Sequence, residues 1–463
     1  MRTQRYEIAI IGGGIAGTTL ANMCERLDID YVLLEARPSL EADEGTGIAI
    51  QPNGFQILDQ LGIAEKIIAE TVGITDWHTY SGKGELMNSN SIFRQCEETL
   101  GYPTIFTSRR KLCRFLSDSI TQRDRVKCSS KVTTIAESDN EVVLTTSNGE
   151  TYVADVVIGA DGVNSFVRNF IDRTGPEKGA ARSPDDYMSV GFSCCYGISS
   201  PTPGFVAGDR FTVMREESGT IGFTGEDGTI FWFIFEHCTD PTGKPKRFSE
   251  RPRFSKADAD AQIPPMADVR IMPNVTFGDI AANRTVYFRI PLEEGIAPSW
   301  QTHRTVIVGD AAHKMSPASG MGANVAIESC AVLMNHLMSV RRQCGKGSLS
   351  RDFLNTAWSR YSENRKKIGR LWMNRSHIIT QSLLCVPGKP LAVGEKIRQM
   401  TDDELLGLVI DDLSTAPMLE GVALTERGEV FFGTISAQRA KKQSLKHAAG
   451  MRDQAGSKLV GKL

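Results

Sequence analysis

Three glycines and an acid stand near the start of the chain in a spacing that can hold a phosphate. The run "YEIAII" leads into Gly12-x-Gly14-x-x-Gly17, and Glu35 closes a second apolar run, "YVLLEA". The first glycine allows a tight turn, the second lets main chain approach a pyrophosphate with Ala16 beside it, and the third lets a helix lie close on a strand. An acid eighteen positions after Gly17 is placed to accept a ribose hydroxyl. Two more acid and glycine turns follow buried-looking strands: Asp161-Gly162 after "ADVVIGA", and Gly309-Asp310 after "TVIV". Ligand-directed turns so widely separated suit a long, permanently held dinucleotide, which points to FAD. No second glycine fingerprint follows a strand, so a nicotinamide cofactor would dock only transiently. No Ser/His/Asp set or metal-ligand spacing stands out, and flavin chemistry requires neither.

Five segments together carry a family resemblance. They are the glycine fingerprint with Glu35, "GTGIAIQPNGFQILDQLG" at 45–62, "SRRKL" at 108–112, "GADGVNSFVR" at 159–168 and "GDAAHKMSPASGMGANVAIES" at 309–329. In that order, over roughly the first 345 residues, the chain resembles the group A, single-component FAD monooxygenases of the para-hydroxybenzoate hydroxylase type. It is most similar to the fungal enzymes that epoxidise or hydroxylate meroterpenoids, indole diterpenes and prenylated alkaloids.

The resemblance implies NAD(P)H as reductant, O2 as co-substrate and oxygen transfer from a flavin C4a-hydroperoxide to a lipophilic secondary metabolite, by epoxidation or hydroxylation. It implies that Asp310 meets the flavin ribityl chain, that Pro317 shapes the oxygen side, and that Gly320, Gly322, Ala323 and Asn324 open a helix towards the isoalloxazine. Gly47 and Ala49 fall in the loop beside that ring, where Gly45 and Gly47 lend freedom to move. Arg109, rather than Arg110, matches the arginine that reaches FAD, and Asp161 serves both the pyrophosphate and the reduction route. Arg168 either assists phosphate recognition or pairs on the surface.

His313 and Arg215 are the weak catalytic candidates: a histidine titrates near neutrality, and Arg215 is the substitute for a tyrosine or arginine that relatives use in their substrate sheet. Structural bracing is the stronger reading for His313. Lys314 stands where a proline is common and either alters the pocket rim or, as the stronger reading, is solvated. An aromatic-ring hydroxylase of phenols or polyketides is the alternative reaction. A flavin halogenase lacks support because no WxWxIP signature is present, and a GDP-dissociation-inhibitor-like binding protein would not need the intact acid and glycine turns.

These residues need an α/β architecture to bring them together: a Rossmann-like FAD-binding domain with an inserted antiparallel β-sheet substrate domain and C-terminal helices. The FAD-binding domain is expected over 1–75, 105–180 and 290–345. The substrate sheet is expected over 76–104 and 181–289, and a helical region with a basic tail over 346–463. In "GTIFWFIFEH", strand alternation puts Phe231, Phe233 and Phe235 on one face and Trp232 on the other; with Phe223 the three phenylalanines are candidates for the substrate pocket. Few fixed charges here favour a neutral, lipophilic ligand.

The chain has 463 residues, 23% of them charged, with net charge -2, which gives no reason to expect a nucleic-acid partner. Its ten cysteines lack CxxC spacing and read as reduced core thiols. The N-terminal apolar run breaks into glycines too early for a signal peptide, and no window is apolar for long enough to span a bilayer. A cytoplasmic protein is expected, with weak membrane-surface contact by the basic tail as its one membrane prospect.

Overall fold

The computed structural model describes residues 4–41, 47–174, 183–216, 218–345, 349–385 and 399–442. The apolar runs read as strands form the centre of a seven-stranded sheet. Gln4–Ile11 lies between Tyr31–Leu34 and Thr151–Gly159, parallel to both, and Thr305–Ile307 runs parallel to the far end of Thr151–Gly159. All four residues of Tyr31–Leu34 are buried, as expected of a parallel strand covered on both faces. Helices Ile15–Arg26 and Gly322–Cys344 lie against each other over this sheet. The parallel arrangement delivers the C-terminal ends of three strands, and hence the turns at Gly12, Ala160 and Gly309, to one edge.

The second sheet has nine strands and covers that edge. Its main order is His313–Lys314, Arg284–Ile296, Met188–Ser199, Ile230–His237, Ser218–Thr224, Arg210–Met214, Trp77–Ser81 and Leu86–Asn90. One departure from an antiparallel sheet occurs: Arg210–Met214 runs parallel to Trp77–Ser81. The latter belongs to a separate excursion of the chain, so no hairpin constrains its direction. The boundary expected at 289/290 falls inside the unbroken strand Arg284–Ile296. At its end, Gly295 and Ile296 pair with Lys314 and His313. Residues 305–314 therefore join the two sheets: Thr305–Ile307 belongs to the first and His313–Lys314 to the second.

A single helix of 33 residues, Arg351–Leu383, opens the region expected to be helical. It packs on Gly322–Cys344 and reaches the second sheet, where Leu383 and Leu384 join an apolar cluster containing Phe192 and Phe235. Helix Asp402–Leu413 and a helical stretch at 426–442 complete the described chain. The basic tail beyond 442, with its expected surface contact, and Gly45 lie outside the described residues. Among the described residues no helix is long and apolar enough to cross a membrane.

Candidate active site

A cavity of about 540 Å³ opens where the two sheets face each other. Its floor is main chain. Gly14, Gly162 and Gly322 all line it, and a Cβ built on any of the three meets nothing within 4 Å. The glycines of the fingerprint thus divide into two kinds. A Cβ on Gly17 would lie 1.8 Å from the Gly12 carbonyl oxygen, and one on Gly12 would lie 2.5 Å from that of Ala160. Gly12 and Gly17 make the turn and the helix contact, whereas Gly14 leaves space. Helix Gly322–Cys344 has no side-chain cap at its N-terminus, so its first amides and the positive end of its dipole face the cavity at Gly322 and Ala323. Open glycines, a bare helix mouth and an acid beside them suit a group that carries phosphates and hydroxyls and must touch main chain. FAD is such a group.

Asp310, Pro317 and Gly320 line the same cavity. Lys314 does too, and its Nζ donates to Asp310 Oδ2 at 2.5 Å. The expectation of a solvated lysine is corrected here: pairing with Gly295 pulls residue 314 onto the second sheet and over the cavity. Burial opposes charge on Asp310, but the charge and hydrogen bond of Lys314 outweigh it and hold the carboxyl below its ordinary range. His313 points elsewhere. It is 1% exposed, lies 5.8 Å from the Trp300 ring, and neither ring nitrogen finds a hydrogen-bond partner. Burial pushes its pKa down to about 4, so the ring is neutral at physiological pH and has no contact with the cavity.

Asn324 is fully buried and works as a clamp. Its Nδ2 donates to the carbonyls of Gly320 and Ala49 at 2.8 and 3.1 Å, and its Oδ1 accepts from Gln51 N–H at 3.0 Å. The strand Gly47–Ile50, whose Gly47 and Ala49 line the cavity, is thereby tied to the helix mouth. Gly320 adopts φ +67°, in the left-handed region that a glycine enters without strain.

The remaining polar candidates fall into groups. Arg109 lines the cavity at the start of helix Arg109–Asp118, whose cap Ser108 accepts from Lys111 N–H, while Arg110 faces outward 3.9 Å from Glu41. Glu35 Oε2 accepts from Gly13 N–H at 2.6 Å, and Oε1 accepts from Arg37 N–H at 2.7 Å. Burial opposes its charge, yet the Arg37 guanidinium, whose Nε donates to Oε1 at 3.0 Å, together with these main-chain bonds holds the carboxyl below its usual range; its oxygens retain lone pairs for a further donor. Asp161 is absent from the cavity wall. Its carboxylate accepts from Ser165 Oγ and from the N–H groups of Phe166 and Val167, capping the helix Phe166–Thr174. Arg168 takes neither expected role: buried, it donates to the carbonyls of Ala311 and Val163 and braces two of the cavity turns against each other.

The roof is aromatic. Phe223, Phe233 and Phe235 line the cavity, and Phe231 packs behind them at 5.3 Å from the ring of Phe106. Trp232 faces the opposite core, against Phe277 at 5.0 Å, so the phenylalanine face of the strand is the one turned to the cavity. Arg215 lies away from the cavity, with its Nη1 beside Ser218 and Met266.

Phe106, Tyr196 and Arg210 are among the lining residues that sequence reasoning missed. Phe106 stacks on Phe223 at 3.8 Å. Tyr196 sits edge-on to Phe233, with burial pushing its hydroxyl pKa up. Arg210 is held over the Trp77 ring at 4.1 Å. The register of neighbouring strands, which sequence does not reveal, brings them into the wall. The one available signal was an arginine opening the apolar strand "RFTVM".

A model of the FAD binding domain family matches residues 5–376. The FAD-dependent monooxygenase nvfK of Aspergillus novofumigatus is 33% identical over 347 residues, 74% of this chain and 73% of the relative. The FAD-dependent monooxygenase pyr5 of Aspergillus fumigatus is 35% identical over 341 residues, 73% of each protein. In fold, the chain resembles Klebsiella pneumoniae HpxO complexed with FAD and uric acid, with a TM-score of 0.70 at 21% identity over 89% of this chain and 97% of that one. It also resembles CtdE in complex with FAD and substrate 4, with a TM-score of 0.66 at 20% identity over 82% of this chain and 90% of that one. The chain belongs to the FAD-binding-domain family, and within it to the FAD-dependent monooxygenases. It is accordingly an FAD-dependent oxidoreductase, and the binding-module and halogenase readings fall away.

Proposed function

We propose that this enzyme uses NAD(P)H and O2 to insert one oxygen atom into a lipophilic small molecule, epoxidising an alkene or hydroxylating an electron-rich ring. The observation that carries the proposal is the continuity of one cavity from the glycine floor to the aromatic roof. In this reading Gly14 and Ala16 receive the FAD pyrophosphate with Arg109 nearby, Glu35 accepts a ribose hydroxyl, and Asp310 accepts from the ribityl chain. Pro317, Gly320, Gly322 and Ala323 border the isoalloxazine, with Gly47 and Ala49 opposite. Asp161 and Asn324 act one step removed, by fixing the turns on which these residues stand.

FAD, when bound, supplies acceptance of a hydride and activation of oxygen. The protein supplies position and dryness: Phe106, Phe223 and Phe233 exclude water from the side where the substrate lies. The helix dipole at Gly322 favours negative charge on the reduced ring. No cavity-lining histidine is present among the described residues to act as a general base, which accords with chemistry borne by the cofactor.

The test is to purify the protein with FAD and follow NADH and NADPH oxidation against prenylated indoles, meroterpenoids and phenols under labelled O2. The expected outcome is substrate-accelerated oxidation with one labelled atom in the product, whose structure separates epoxide from alcohol. A protein that takes up no FAD, or a holoenzyme that transfers no label to any of these classes, overturns the proposal.

A further inference from the structure

The strand Arg284–Ile296 is bonded on one side only for most of its length. Met188–Ser199 pairs with it from Arg284 to Gly295, but on its other side the short strand His313–Lys314 meets only Gly295 and Ile296. Among the described residues no strand or bridge covers that other side over 284–294. In an antiparallel pair the main-chain donors and acceptors of alternate residues turn away from the partner, so this edge presents a row of them. A second cavity, of about 370 Å³, runs along it. Five consecutive residues, Thr285 to Arg289, line that cavity, although side chains alternate between the two faces of a sheet. Phe288 packs on Tyr196 at 5.7 Å in the wall of the first cavity, whereas Tyr287 joins the core around Trp232 on the opposite face. A cavity over one face would meet every second residue; one met by each residue in turn lies on the edge.

The facing wall is Phe254, Ser255 and Lys256, at the start of helix Lys256–Asp260. The chain that approaches it is basic: "KPKRFSERPRFSK", 244–256, holds six Lys and Arg residues against one acid. Lys256 is exposed, its Nζ lies 2.9 Å from the centroid of the Tyr287 ring, and neither it nor Arg253 has a carboxylate partner among the described residues. The acids nearby are engaged. Asp258 accepts from the Ser255 N–H and Oγ, both at 2.6 Å, Asp260 accepts from the Tyr287 hydroxyl, and Glu236 pairs with Arg289 at 2.8 Å. At the end of the edge, Arg284 donates from Nη1 to the Ala281 carbonyl at 2.6 Å, and its Nε is buried without a partner.

We infer that this edge is a docking site for an extended, acidic segment of a partner protein, which adds to the second sheet as a further strand. Main-chain bonds along the row supply affinity, and acidic side chains on alternate residues meet Lys256 and Arg253. A second copy of the chain is the other occupant that an unpaired edge invites. Two copies laid antiparallel there would set Lys256 and its cationic neighbours against the same groups, and opposed like charges are disfavoured. Phe288 and Ile290, on the docked strand, line the first cavity, so the partner would sit one strand away from the molecule held there.

The test uses the FAD-loaded enzyme and a short fluorescein-labelled peptide in which glutamate alternates with valine, read by fluorescence anisotropy at pH 7 and fixed ionic strength. Saturable binding is expected, and a peptide with lysine in place of glutamate should bind at least about tenfold more weakly. Lys256→Glu should take up FAD as the native enzyme does and weaken the acidic peptide by about tenfold. Two further peptides are N-methylated on alternate residues, one on its valines and the other on its glutamates. Only one set of amides faces the protein when a peptide lies as a strand, so one form should lose binding and the other should stay within about threefold of the parent. Absence of binding by the acidic peptide overturns the inference, as do equal effects of the two methylation patterns, whether or not the variant folds. A folded Lys256→Glu that binds the acidic peptide undiminished overturns it too, and self-association of the native enzyme that the peptide reverses assigns the edge to a second copy instead.

Discussion

Lys314 determines the charge state of the carboxylate on which FAD binding is proposed to depend. Buried without a counter-ion, Asp310 would protonate more readily; paired with Lys314 Nζ, it stays ionised and able to accept from hydroxyl donors. Lys314→Met removes the largest influence opposing burial and leaves the weaker attraction of Arg109, so the Asp310 pKa rises. FAD affinity should then begin to fall at a higher pH than in the native enzyme, while Lys314→Arg keeps the native profile. Titration of flavin fluorescence against apoprotein from pH 5 to 8 measures both; a Lys314→Met profile identical to the native one removes the ion pair from FAD binding.

His313 makes the opposite case, a titratable group beside the site with no access to it. Its folded pKa of about 4 lies below the ordinary 6.5, so between those values the unfolded chain binds the extra proton. Stability must therefore rise with pH across that window, by on the order of 3 kcal/mol in full, and be lost as pH falls towards 4. His313→Phe should flatten that part of the stability curve, measured by urea denaturation at pH 4.5 and 6.5, and leave the pH dependence of NAD(P)H oxidation above pH 6 unchanged. A shifted activity profile would give His313 a role that its buried position does not offer.

At the scale of elements, the glycine turn separates folding from binding. Gly14→Val places its side chain in open cavity at a backbone φ of -78°, which any residue tolerates, so the apoprotein should fold with a melting temperature within about 2 °C of native yet fail to take up FAD. Gly17→Ala drives a methyl group into the Gly12 carbonyl and should destabilise the apoprotein by several kcal/mol, the range of overpacked or strained sites. Thermal melts of the two apoproteins, followed by FAD titration, distinguish them; equal loss of folding in both would undo the division.

This contrast also marks where sequence was informative. The βαβ unit, the turns at 161 and 309 and the alternation of Phe231, Phe233 and Phe235 are local, and their glycine spacing and period of two are visible in one segment. The positions of Tyr196 and Arg210 depend on which strands become neighbours, as does the presence of Lys314 in the wall. Asp161 illustrates the same limit: an acid before a helix serves equally as ligand and as cap, and only its bonds to Ser165, Phe166 and Val167 show which use it has found.

Across the whole molecule, the two sheets form one site because the helix Gly322–Cys344 fixes the mouth between them, and that helix is itself held from the C-terminal side. Glu328, six residues or about 9 Å along the axis from Gly322, accepts from Asn53 Nδ2 and from Arg365 Nη2, both at 2.7 Å. Arg365 also donates to Ser329 Oγ at 3.0 Å, and the Arg365 and Glu328 side chains are only 1% and 5% exposed. Helices Pro52–Gln60, Gly322–Cys344 and Arg351–Leu383 thus meet at one buried charge pair. Removing one partner strands the other, at about 3–5 kcal/mol. Arg365→Met should therefore lower the apoprotein melting temperature by roughly 5 °C or more and weaken FAD binding through the loosened helix mouth. Arg365→Met combined with Glu328→Gln, which is neutral and still offers Asn53 an acceptor, should recover most of both losses. If the double variant is less stable than Arg365→Met alone, packing of the arginine stem rather than charge compensation holds the helices together, and the C-terminal region supports the site by shape.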